Sequence, residues 1–233
     1  CSGYMQNQKL IPDCNIDVGK FWSEVTEYSR ENKIDPTLSY MLLLENRMYE
    51  AGLEISTGTF LNYGKQLKLF NGVNEWFKRI TLYGLENQVD IEHYIISSGL
   101  TDMIKGCSFY KEINKIYACE YIYKNNRGYW PKLSVNYSNK VQYLYRIHKG
   151  AFEVSDQDGV NQKKYFGDYI HVPFENMVFF GDGETDVPTF NVLNKNNGKS
   201  ICVYENENIK SIDIANKLFS DGRVHHVVKN DFR

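Results

Sequence analysis

Beyond Asn71-Gly72 the sequence alternates short, continuous apolar runs with stretches of helical periodicity, a pattern few architectures accommodate. The runs are Tyr94-Ile95-Ile96, Ile116-Tyr117-Ala118-Cys119, Met177-Val178-Phe179-Phe180, Ile201-Cys202-Val203-Tyr204 and residues 224–228. Each is too short for a helix and lacks the polar–apolar alternation of a half-buried strand, so each reads as a strand buried on both faces. Helical patterns over 73–83, 139–149, 187–194 and 209–219 supply the crossovers, which together predict a parallel α/β sheet. Upstream, Phe21, Val25 and Tyr28, then Leu38, Met41, Leu42 and Met48, then Phe60, Leu61 and Leu67 recur at helical spacing. Asp35-Pro36 as cap and first helical residue, Gly52 as a stop, and Ser56 or Thr57 as a third start punctuate this stretch as a helical insertion. Residues 156–169, polar and carrying two glycines, read as an exposed excursion.

At 233 residues the chain suits one domain with an insertion or two small domains, taking about 150 residues per domain. A 42% hydrophobic and 24% charged composition excludes disorder, collagen and coiled coil. Lys and Arg number 27 against 29 Asp and Glu, so no net field draws the chain to nucleic acid or to an acidic membrane, and neither partner is expected. No apolar run approaches the ~20 residues that span a bilayer. The five cysteines are widely spaced, with no C-x-x-C pair, which predicts a reducing, cytoplasmic setting without structural zinc. The opening Cys1-Ser2-Gly3 also fits a mature lipoprotein, whose cysteine follows a cleaved signal.

In open parallel sheets ligands bind beyond the carboxyl ends of the strands, which directs attention to three places. The run ending at Phe180 leads into Gly181-Asp182-Gly183-Glu184-Thr185-Asp186, which sets the carboxylates of Asp182 and Asp186 four residues apart on a glycine-bearing turn. Hard oxygen donors there suit Mg²⁺, which takes few carboxylates, several waters and a substrate phosphate. An EF-hand fails because Val187 stands where glycine is needed and Leu193 where the bidentate Glu belongs, and a dinucleotide fingerprint fails at Asp186. The plain alternative is an acidic surface turn with Asp186 capping a helix. At the second place, Ser97-Ser98-Gly99 ends a strand with hydroxyls that either grip a phosphate oxygen or cap the next helix. At the third, Ser138 reads as a cap and Lys140 falls in a first helical turn, where a cation opposes the macrodipole and implies a counter-anion, unless it is a solvated lysine. Lys149 is the rival cation. The His225-His226 pair has no acid or cysteine at ligand spacing and reads as structural.

Taken in order, Ile95-Ile96-Ser97-Ser98-Gly99, then Lys140, then Gly181-Asp182-Gly183-Glu184-Thr185-Asp186 resemble motifs two, three and four of the haloacid dehalogenase-like hydrolase superfamily. Gly72-Val73-Asn74-Glu75-Trp76-Phe77, Glu92-His93-Tyr94, Trp130-Pro131 and Val135-Asn136-Tyr137 extend the likeness to a bacterial, phosphatase-like branch over nearly the whole chain. The resemblance implies a Rossmann-like three-layer core over 1–13 and 70–233, with an inserted all-helical cap over 14–69. It also implies Mg²⁺ held by Asp182, with Asp186 ligating it or holding its waters. Ser97, with Ser98 and Gly99, would bind the transferring phosphoryl, and Lys140 would neutralise its oxygens. Phosphoryl transfer is mostly positioning and charge neutralisation, which such groups supply.

The family's attacking aspartate lies in a first motif, Asp-x-Asp-x-Thr, and no such motif occurs in these 233 residues. Asp13 and Asp17 lack its spacing, its threonine and a preceding apolar strand. In the resembling branch Gly3-Tyr4-Met5-Gln6 follows almost directly on that motif, so the natural chain is expected to extend upstream, and the chain as written to be inactive. A missing first strand would leave two unpaired strand edges in the sheet. The function implied is a Mg²⁺-dependent phosphomonoester hydrolase working through an aspartyl-phosphate on a small phosphorylated substrate. The alternative is a relative of the same fold that binds a phosphorylated ligand without hydrolysis. Trp22, Tyr28, Tyr40, Arg47 and Tyr63 are the cap side chains among which substrate selection would fall.

Overall fold

The structure, a computed structural model, describes residues 2–125, 127–161 and 170–233. Cys1 and the larger part of the expected 156–169 excursion lie outside them. The described chain divides into two compact units, residues 1–136 with 232–233, and residues 137–231.

In the first unit two short helices, α1 (Met5–Gln8) and α2 (Leu10–Asp13), lead into α3 (Val18–Asn32), α4 (Pro36–Glu50) and α5 (Thr57–Lys65). Their starts follow from local chemistry. Asp17 accepts the Lys20 N–H at 2.9 Å, Asp35 accepts from Thr37 and Leu38 with Pro36 behind it, and Ser56 accepts the Thr59 N–H. Each satisfies N–H groups that the first helical turn leaves without partners. Asp17 is therefore a helix cap, and Asp13 pairs with Lys9 and accepts from the Tyr63 hydroxyl at 2.9 Å.

The helices bury Leu10, Ile11, Phe21, Met41, Leu44, Met48 and Phe60. Phe60 stacks on Tyr121, and the Tyr121 hydroxyl donates to the Met41 carbonyl at 2.6 Å. The helical stretch is thus packed on a sheet of β1 (Tyr94–Leu100), β2 (Lys115–Lys124) and β3 (Arg127–Leu133), in that order. The strands are joined to it by α6 (Val73–Glu86), which precedes β1, and by α7 (Thr101–Gly106), which follows it. A second core gathers Val73, Phe77, Ile104, Cys107, Phe109 and Ala118, with Trp76 and Phe232 packed against it.

β1 and β2 run parallel, but β3 returns antiparallel to β2, a departure from the all-parallel expectation. Arg127–Leu133 carries a glycine, a proline and exposed aromatics rather than a buried apolar run, so no strand was visible there. Pro131 is tolerated because β3 is an edge strand and the ladder is irregular around it.

The second unit contains α8 (Lys140–Lys149), a short helix α9 (Gln157–Asn161), and a parallel sheet of β4 (Val178–Gly181), β5 (Lys199–Tyr204) and β6 (His226–Lys229). Helices α10 (Val187–Lys195) and α11 (Ile209–Ser220) make the crossovers. They pack on the sheet face that carries Phe179, Cys202 and Val227, around Phe190, Ala215 and Leu218.

Burial on both faces fails for the edge strands of this sheet. Val178 is 54% and Phe180 38% exposed, and Val228 is also open, because both crossover helices lie on the opposite face. Among the described residues β1 pairs only with β2, and β4 only with β5, so each sheet has a strand with one open edge.

Candidate functional site

β4 ends at Gly181, and the chain turns through Asp182 and Gly183 into a 3₁₀ turn, Glu184–Asp186, that runs directly into α10. A side chain at 181 would put its Cβ 2.5 Å from the Asp186 carboxylate and 2.6 Å from the Phe190 ring, so only glycine lets the turn fold back this closely. Asp186 sits in the cap position of α10 but makes no side-chain cap bond. One carboxylate oxygen accepts from Lys140 Nζ at 2.7 Å, and the other accepts the Asp182 N–H at 3.0 Å.

Lys140 is the first residue of α8, and Asn139, not Ser138, occupies the cap position, with no side-chain hydrogen bond that caps the helix. The cation at the positive end of this helix does have its counter-anion, supplied by the unit's own Asp186. The pair is buried, with Lys140 7% and Asp186 3% exposed. Taking two charges out of water costs several kcal/mol per ion, which short contacts and extra hydrogen bonds must offset. Here the Asp182 N–H adds such a bond. The rival, Lys149, donates instead to the Val160 carbonyl.

Asp182 differs from its neighbour. Its side chain reaches the exposed rim of the turn, and a Cβ at Gly183 would meet nothing within 4 Å. Desolvation on its protein side, followed by the negative charge of Asp186, raises its carboxyl above the usual range, with Lys140 opposing. On the paired strand the Cys202 thiol is fully buried and pushed up to about 11, by desolvation and then by the two aspartates, so it is a neutral thiol rather than a nucleophile.

Asp182 therefore presents one open, hard oxygen donor beside a buried ion pair. That fits Mg²⁺ held chiefly by waters and phosphate oxygens, which needs only one or two carboxylates. A full protein cage is another matter: among the described residues no three His, Cys, Asp or Glu side chains gather as a metal site.

In the first unit, β1 keeps register with β2 from Tyr94↔Lys115 to Ser97↔Ala118 and resumes at Leu100↔Cys119. Ser98 and Gly99 are thus extra residues in a bulge. Ser97 Oγ accepts the Gly99 N–H at 3.0 Å, which leaves the hydroxyl proton to donate outward. Neither serine caps the next helix: α7 starts at Thr101, after Leu100, with no side-chain cap bond. A Cβ on Gly99 would lie 2.8 Å from Met5 Sδ and Cε, so Met5 covers this turn.

The remaining sequence candidates separate by their contacts. Tyr40 is buried and bonded to Gln6, Arg47 is ion-paired with Glu24 and Glu50, and Tyr63 is bonded to Asp13. Trp22 is half-buried and donates to Asn7 Oδ1 at 2.8 Å. His225 holds Ser200 through its ring, at 3.0 Å from the hydroxyl. The role of Asp186 as the partner of Lys140 was hidden in the sequence, since 46 residues separate the two. The only sequence signal for it was the charge at the wrong end of a helix.

No helix of the described residues is long and apolar enough to cross a membrane. No protein-family model matches the chain. An uncharacterized protein of Borreliella burgdorferi is 30% identical to it, over 95% of this chain and 84% of that protein. Among solved structures, a HAD family hydrolase from Salmonella enterica serovar Typhi matches with a TM-score of 0.58 and 15% identity. That match covers 97% of this chain, which spans only 62% of the Salmonella chain. At such identity the likeness speaks for the fold alone. The chain therefore belongs to one family with the Borreliella burgdorferi protein, and its fold is that of the haloacid dehalogenase-like (HAD) hydrolases.

Proposed function

We propose that this protein is a Mg²⁺-dependent phosphomonoester hydrolase of the HAD type, acting on a small phosphorylated substrate. The observation that carries the reading is the Asp182–Asp186–Lys140 arrangement, in which an open carboxylate stands beside a buried, preorganised lysine–aspartate pair. Asp182 is assigned to the metal, and Asp186 holds Lys140 and the turn in place. Lys140 is assigned to neutralising phosphoryl oxygens. In the first unit, Ser97 with the bulge of Ser98 and Gly99 is assigned to donating hydrogen bonds to a phosphoryl group. When bound, Mg²⁺ would supply charge neutralisation at the phosphoryl oxygens. Fixed donors and charges of this kind need no reorganisation as the reaction proceeds, which is what makes them effective.

The attacking carboxylate is assigned to none of these residues, because no Asp-x-Asp-x-Thr occurs in the 233 residues. The test is Mg²⁺-dependent phosphate release from a panel of phosphomonoesters. It compares this chain with the same chain preceded by an apolar strand that ends in Asp-x-Asp-x-Thr. The expected result is release by the extended form alone, abolished by Asp182→Asn. Release by the 233-residue chain would place a nucleophile among residues not credited with one. If the extended form folds and binds phosphate but releases none, the protein is a phosphate-binding relative rather than a hydrolase.

A further inference from the structure

Helix α6 presents to water a face that a merely solvated helix does not need. Leu82 is 50%, Tyr83 63% and Leu85 59% exposed, while the other side of the helix packs Val73 and Phe77 into the first unit. The helix closes in a Schellman turn, with the Gln88 N–H on the Leu85 carbonyl at 3.1 Å and the Val89 N–H on the Gly84 carbonyl at 2.8 Å. In such turns the residue at the position of Val89 packs on the one at the position of Gly84. Glycine offers no side chain to receive it, and Val89 stays 53% exposed at the end of the apolar patch. Beside the helix, the 3₁₀ turn Ser108–Glu112 forms the other wall of a groove of about 520 Å³, lined on the α6 side by Leu82 and Tyr83.

The charges around this patch are arranged about Leu82. Lys78 precedes it by one helical turn and Glu86 follows it by one, so the three share a face. Both charged residues are exposed, and among the described residues neither makes an ion pair or a side-chain hydrogen bond. Opposite charges equidistant from a central leucine make the surface complementary to itself, which is what a two-fold contact between identical chains requires. Laid antiparallel on a second α6 with the two-fold axis at Leu82, Lys78 of each copy comes level with the partner's Glu86. A parallel pair in the same register would set like charges against each other.

We propose that α6 is the contact face of a homodimer, in which two copies of this chain pack antiparallel about Leu82 and Lys78 pairs with the partner's Glu86 on both sides of the axis. Leu82 and Leu85 supply the apolar centre, and the two charge pairs fix direction and register. A helix of 14 residues is about 21 Å long. It offers less than the ~800 Å² per partner of a standard interface, so the dimer belongs to the weak class, with a Kd in the micromolar range. The pairing uses neither the metal nor the phosphoryl residues and is tested apart from them.

Sedimentation equilibrium of the full chain, from low micromolar to near-millimolar concentration, is expected to show monomer passing reversibly to dimer. Leu82→Glu places a charge at the axis and should weaken the dimer by about tenfold or more. Lys78→Glu and Glu86→Lys should each weaken it as well, because each sets like charges together twice. An equimolar mixture of those two variants should associate again, since one chain then carries only acid and the other only base at the two positions. All three positions are exposed, so melting temperatures measured at low, monomeric concentration should hold and distinguish lost pairing from lost fold. A monomer at every concentration overturns the proposal and leaves the face to a different protein. A dimer indifferent to Leu82→Glu overturns it too, because another surface then joins the copies, and failure of the mixture to pair overturns the antiparallel register.

Discussion

At the scale of single residues, the Lys140–Asp186 pair has a definite energetic signature. Removing one partner strands a buried charge, which costs about 3–5 kcal/mol, whereas replacing both by apolar groups is close to neutral. Lys140→Met is therefore expected to lower the urea midpoint sharply. The double variant Lys140→Met/Asp186→Leu should recover most of the loss, a coupling that a double-mutant cycle measures. Without that recovery, the pair is not what stabilises the turn. His93 gives a second test. It is buried with its Nε2 between Thr81 Oγ1 and the Phe77 carbonyl, and desolvation holds its pKa below the ordinary value against smaller opposing effects of Phe77 and Glu112. A lowered folded-state pKa means that the unfolded chain takes up the proton first as pH falls. Stability is thus fully present above the unfolded value of about 6.5 and declines as pH falls from there toward the folded value. Urea midpoints at pH 7.5 and 5 should differ, and His93→Gln should reduce the difference.

At the scale of elements, two glycines let α5 and α7 approach at backbone distance. A Cβ at Gly64 of α5 would lie 2.0 Å from the Met103 carbonyl oxygen, and one at Gly106 of α7 would lie 2.3 Å from that of Leu61. Backbone cannot swing aside as a side chain can, so Gly64→Ala and Gly106→Ala should each destabilise by about 1–3 kcal/mol or more, read as a drop in Tm. Nothing in the sequence distinguishes these glycines from those in turns, because close approach is a property of the partner helix. The elements that were legible had local causes: Asp35-Pro36 and Ser56 as starts, and the apolar runs of β1, β2, β4, β5 and β6. What was hidden depended on a partner distant in sequence. β3 is held by β2 and not by its own pattern, the Ser98–Gly99 bulge exists only relative to β2, and Asp186 pairs with Lys140 instead of capping α10. The turns that hold the candidate residues were thus legible in the sequence, but the contacts that tie Asp186 to Lys140 and to the Asp182 N–H were not.

At the scale of the whole molecule, the second unit is a passage of chain that leaves the first unit after Asn136 and re-enters it at Phe232. The re-entry is a structural joint. Phe232 donates its N–H to the Asn71 carbonyl at 2.7 Å, its carbonyl accepts from Arg79, and its ring meets Trp76 edge-on at 6.0 Å. Removal of a fully buried Phe costs about 3–5 kcal/mol, and for this half-buried ring about 2 kcal/mol is expected for Phe232→Ala. Hydrogen exchange should show lost protection in α6 while β5 keeps its own; loss in both would mean that the two units unfold as one. The Lys140–Asp186 contact has a bearing on the order of events during folding. Its partners sit on α8 and on the turn after β4, so neither element can gain from the other until the intervening chain has closed, and loop closure is costly before contacts reward it. Asp186→Asn should then accelerate unfolding and leave the refolding rate nearly unchanged, with a φ-value near zero. The acidic turn would in that case be the last part of its unit to set, locked only after its sheet was already built.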